Sequence, residues 1–159
     1  MAFEMDESGV ELPFTSRLAR EQRWTHAFSN RVSHEYKRFI VLAMLAGHPV
    51  TPSEAVDQVW HLHLVYTRSY WHDLCREVLG KELHHGPTKG GAAEGEKFVD
   101  WYSETLLSYE RLFKNRPPPD IWPASEDRFK GAGAGRWIDS SCHLVIPLPR
   151  WLRVTFGRI

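Results

Sequence analysis

Apolar positions along this chain recur mainly at the three-to-four-residue spacing of helices. Between residues 16 and 46, Leu18, Phe28, Val32, Tyr36, Phe39 and Leu42 keep that spacing with charges between them. The pattern predicts one long helix, ended by Gly47, His48 and Pro49, with the stretch KRFIVLAMLAG as its most buried part. TPSE follows, with Thr51 as N-cap, Pro52 at the first helical position and Glu54 where a capping box needs an acid. A second helix is predicted from there to Leu79, with Gly80 as its stop. Such a helix would be about 42 Å long, so a break or kink is expected in it. A third helix is predicted over Ala93 to Phe113, with Phe98, Trp101, Tyr102, Thr105, Leu106, Tyr109 and Leu112 on its inner side.

The remaining stretches lack a helical period. KELHHGPTKGG is a Gly- and Pro-rich loop. RPPPDIWP reads as an extended strap pinned to the core by Ile121 and Trp122. GAGAG reads as a flexible hinge, and CHLVIPL and WLRVTF read as short β-type segments. The fold class predicted is mainly α: a small helical domain of about three main helices, a Pro-rich strap and a short irregular or β-like C-terminal segment. Residues 1–13 are expected to be a flexible arm, 14–130 the helical domain with the candidate site, and 131–159 a Gly hinge and basic C-terminal segment.

Composition sharpens this picture in three places. A chain of 159 residues is most simply one domain and buries roughly 70% of its unfolded surface. Seven Trp point to dense packing or an aromatic-walled pocket. Formal net charge is zero, which argues against a polyelectrolyte partner, and no basic-aromatic platform for nucleic acid is visible. The charge is uneven, with an acidic start (Glu4, Asp6, Glu7, Glu11) and a basic stretch from Arg128 to the end that reads as a solvated face or as a contact for an anionic surface. With no signal-like opening, no membrane-length apolar run and two cysteines, the expectation is a cytoplasmic protein without a disulfide.

The chemistry concentrates in VDQVWHLHLVYTRSYWHDLC and the loop after it, where five of the nine histidines lie. On a regular helix Asp57, His61, Arg68, His72 and Cys75 lie within about 60° of one another. Val56, Val59, His63, Tyr66, Tyr70 and Leu74 form the opposite, apolar face. His61 and His63 then point about 200° apart and cannot share a metal unless the helix breaks. Asp57 and His61, at i and i+4, can share one. Further donors come from the adjacent His84 and His85, of which one is expected to face the site, aimed by Gly86 and Pro87. Asp57 is a ligand or the residue that orients a ligand. The alternatives are structural histidines, a Cys75–His72 nucleophile pair, and for GPTKGG a phosphate-binding loop, which lacks the preceding strand and the required spacing.

At these residues the chain resembles the glycine-rich domain-containing proteins, in particular their small bacterial relatives. The shared pattern is an Asp three residues before Trp-His-x-His, a Tyr-containing helix, and a His-His-x-Pro turn. Here these are Asp57, Trp60, His61, His63, Tyr70, His84, His85 and Pro87. The resemblance covers roughly residues 36 to 125. It implies that the acid, the paired histidines and the turn travel together. Plant members carry this region with a glycine-rich part and are associated with development and stress. This chain has only GAGAG and no long glycine-rich tail.

The expectation that results is a metal-binding helical domain or metalloenzyme, hydrolytic or oxidative. His61, His63 (if the helix breaks), His84 and His85 are the candidate ligands for Zn, Fe or Cu, and Asp57 and Tyr70 the candidate catalytic groups. A small molecule or peptide is the expected substrate. The competing expectation is a non-catalytic protein–protein interaction module with structural histidines.

Overall fold

The computed structural model describes residues 3–6, 9–86 and 92–129. Every regular element among them is helical: α1 Phe14–Gln22, α2 His26–Leu45, α3 Glu54–Val65, a π-helix Arg68–Leu79, α4 Ala92–Phe113 and α5 Ser125–Phe129. The mainly α class stands. The β-type segments, the GAGAG hinge and the basic tail lie outside the described residues.

Two of the long predicted helices are each split in two. The first breaks at Arg23, which adopts the left-handed conformation at φ 56°. The amide of Trp24 returns to the Ala19 carbonyl at 2.9 Å, the six-to-one bond of a Schellman end. Thr25 then caps α2, its hydroxyl accepting from the Phe28 amide at 3.2 Å. The second breaks at Tyr66, whose ψ of 64° leaves the helical region. Beyond it the chain winds with the wider i→i+5 repeat until Gly80, at φ 66°, stops it as the sequence predicts. The cap of α3 is Ser53 rather than Thr51. The Ser53 hydroxyl accepts from Val56 at 3.3 Å, while the Thr51 amide donates to the Thr105 hydroxyl of α4 at 2.9 Å.

The core is shared by α2, α3 and α4. Tyr36, Phe39, Ile40 and Leu42 of α2 meet Val56, Val59, Trp60 and Leu62 of α3, and Tyr102 and Tyr109 of α4 close the far side. Leu18 of α1 and Tyr70 and Leu74 of the π-helix complete it. Ile121 and Trp122 are buried as predicted. Within the stretch expected to be a flexible arm, Phe3 and Met5 are buried, and the Phe3 ring lies 5.5 Å from that of His63, so apolar burial ties these two residues down. No helix among the described residues is long and apolar enough to cross a membrane.

Candidate metal centre

Helix α3 carries the two donors that a regular turn can pair. Asp57 and His61 stand one turn apart, with His61 Nε2 at 3.7 Å from Asp57 Oδ2. Asp57 sits in the first turn of α3, where the unpaired amides favour a carboxylate. The third donor comes from the loop after the π-helix. His85 donates from Nε2 to Asp57 Oδ1 at 2.8 Å, and its ring lies 4.6 Å from that of His61. One ligand atom from each of Asp57, His61 and His85 lies within 4.8 Å of the other two. Asp57 and His85 are partly buried, whereas the His61 side chain is 50% exposed, so the cluster opens to solvent on the His61 side.

The His85 loop is held from beneath. The indole N–H of Trp60 donates to the Tyr70 hydroxyl at 2.9 Å. That hydroxyl donates in turn to the Leu83 carbonyl. Trp60 also meets the His85 ring edge-on, with centroids 4.4 Å apart. Tyr70 thus touches the centre only through the loop, and burial pushes its phenol up to about 12, which keeps the donor protonated at neutral pH. Replacing Tyr70 with Phe removes both bonds and leaves a buried indole N–H and a carbonyl unpaired. The expected loss is about 1–2 kcal/mol of folding stability, read from the urea midpoint. An unchanged midpoint would remove Tyr70 from this positioning role.

The other predicted donors lie elsewhere. His63 is fully buried, with Nδ1 at 3.0 Å from the Tyr36 hydroxyl and Nε2 at 3.1 Å from the Ser69 hydroxyl. The helix does break, but at Tyr66, beyond His63, so His63 keeps its inward direction. His84 turns away from its neighbour to Glu82, at 2.8 Å, with its ring 5.5 Å from Trp71. The predicted polar face likewise ends at the break. Cys75 is buried at 2% exposure, while His72 stays at the surface beside Asp73. The wider winding of the π-helix rotates these residues off the register that a continuous α-helix would give.

A match to the UCP032817-like family runs over residues 13–96, more than half of the chain and all three donors. Two proteins of Arabidopsis thaliana, Glycine-rich domain-containing protein 1 and Glycine-rich domain-containing protein 2, are each 27% identical to this chain over 65% of its length. The chain spans only 13% and 14% of the length of these two relatives. No solved structure gives a significant match. The relatives agree with the resemblance drawn from the Asp, Trp-His-x-His and His-His-x-Pro pattern, and the chain belongs to the UCP032817-like family.

Proposed function

We propose that this is a metal-binding helical domain whose centre is Asp57, His61 and His85, serving a metal-dependent reaction on a small-molecule or peptide substrate. One observation carries the reading: two imidazoles and a carboxylate from two separate elements converge, with ligand atoms within 4.8 Å of one another. Four-coordinate sites with bonds of 2.0–2.1 Å place neighbouring ligand atoms about 3.3 Å apart. The contacts of 2.8 and 3.7 Å run to the two different oxygens of Asp57, so its carboxylate already faces both imidazoles and the three ligand atoms draw together on binding. Metal and protons compete for the same ligand nitrogens, and uptake is therefore expected to weaken in acid.

Two nitrogens and one oxygen suit Zn²⁺, Fe²⁺ or Cu²⁺. Three protein donors leave coordination positions for water or substrate, where a bound cation polarises an oxygen or lowers the pKa of water. Elemental analysis of tag-free protein, purified without a metal column, tests the centre. Near-stoichiometric metal is expected in the wild type and in His84→Ala, and at least a tenfold lower content in His61→Ala/His85→Ala. At a free-metal concentration of 100 Kd, binding raises folding stability by about 2.7 kcal/mol, visible as a melting shift that the double variant lacks. Full metal in the double variant, or none in the wild type after reconstitution, would reject the assignment.

A further inference from the structure

Arg128 stands near the end of α5, and its environment is unusual for a cation. Its guanidinium carbon lies 4.4 Å from the centroid of Tyr102 and 4.8 Å from that of Phe129. These rings brace the group. Its Nε and Nη1 are buried, and neither has a hydrogen-bond partner among the described residues. Burial lowers its proton affinity, which the acidic groups Asp57 and Glu54 oppose. Arginine nonetheless remains charged in proteins. Among the described residues no carboxylate satisfies the two buried donors.

A buried cationic donor without an acceptor costs free energy comparable to its desolvation. The chemistry that removes this cost is an oxyanion, because charge-assisted N–H···O⁻ bonds are the strongest that guanidinium makes. We propose that Arg128 is an oxyanion-binding residue whose two unpartnered nitrogens take a carboxylate or a phosphate. This reading does not depend on the metal centre.

The test titrates inorganic phosphate and, separately, acetate into the full chain, with and without added Zn²⁺, by calorimetry. At least one anion is expected to bind the wild type, and the responding anion tells phosphate from carboxylate. Its affinity should fall at least tenfold in Arg128→Met and less in Arg128→Lys. Metal content in Arg128→Met should equal that of the wild type. Absence of binding by both anions, or equal affinities in wild type and Arg128→Met, overturns the proposal. A protein without metal that still binds an anion through Arg128 would reject the centre and keep the anchor. Should Arg128→Met fail to fold, phenylglyoxal modification of Arg128 in the wild type replaces it. The bound anion should slow that modification at least threefold, and no protection would overturn the proposal.

Discussion

Replacing Glu35 with alanine should lower folding stability by about 3–5 kcal/mol, the largest effect expected of any single substitution outside the apolar core. Glu35 is on α2, but its carboxylate faces inward, with 6% of the residue exposed. Oε2 accepts from the Tyr109 hydroxyl and from the Trp122 indole, both at 2.9 Å. Oε1 accepts from Arg38 Nη1 at 3.2 Å, and Arg38 also bonds the Tyr109 hydroxyl. A single carboxylate therefore ties α2 to α4 and to the irregular segment before α5. Burial and the bond to Glu35 push the Tyr109 phenol up to about 12, so it remains a donor at neutral pH.

Alanine would leave the Tyr109 hydroxyl without its carboxylate acceptor and the Trp122 N–H with none, each costing about 1–3 kcal/mol. It would also remove the counter-charge of Arg38. That guanidinium stacks on Tyr109 and Phe113 at 5.6 and 5.3 Å, but its side chain is 40% exposed, so water takes over part of the lost charge pairing. The Glu35→Gln variant would keep one oxygen for the two buried donors, while its N–H2, a donor, gives Arg38 nothing to bond and leaves that half-exposed guanidinium to water. Urea denaturation should therefore show Glu35→Gln losing less than half of what Glu35→Ala loses. Equal losses would mean that the charge pairing, and not the satisfied Trp122 and Tyr109 donors, holds the network together.

The same network shows where sequence reasoning stops. In the linear pattern Glu35 is one polar position on a helix, and its two buried partners are 74 and 87 residues away. Helical spacing puts it between Phe39 and Leu42 on the inner face, but nothing local names the partners that would satisfy a carboxylate there. Helix α4 was legible because it is regular: Tyr102, Thr105 and Tyr109 keep the inward spacing and are all buried. The pairing of Asp57 with His61 was legible for the same reason. The break at Arg23 was not, because the left-handed position that ends α1 usually falls to glycine and here falls to arginine.

The choice between His84 and His85 needed tertiary structure. Adjacent residues in an extended loop point to opposite sides. What turns His85 inward is the Tyr70 bond to the Leu83 carbonyl and the edge of Trp60. Register was lost beyond Tyr66 because the sequence carries no signal for a π-helix that differs from the signal for an α-helix. Cys75, placed on the polar face by a continuous winding, is therefore a core residue.

His63 gives the second large prediction, a loss of stability in mild acid. The imidazole is fully buried, with the rings of Phe3, Phe14, Tyr36 and Tyr70 between 5.2 and 5.9 Å away. With its proton on Nε2, it accepts from the Tyr36 hydroxyl and donates to Ser69, so the neutral ring is fully satisfied. A second proton would meet the phenol oxygen with no water to solvate the charge. Burial accordingly lowers its pKa from 6.5 to about 4, with a small opposing effect from Asp73. Between these values the unfolded chain binds more protons than the folded one, so stability rises with pH. The contribution is fully present above about pH 6.5 and is lost as pH falls toward 4, a change of about 3 kcal/mol over the window. The comparison is between metal-free wild type and His63→Gln, by urea denaturation at intervals from pH 4 to pH 7. Surface carboxylates titrate alike in both, and the difference between the two profiles isolates His63. The wild-type curve should fall more steeply than the variant's, with most of the divergence between pH 6.5 and 4. Parallel curves would show that His63 takes up its proton in the folded state as readily as in the unfolded chain. The contacts with Tyr36 and Ser69 would then not require a neutral ring.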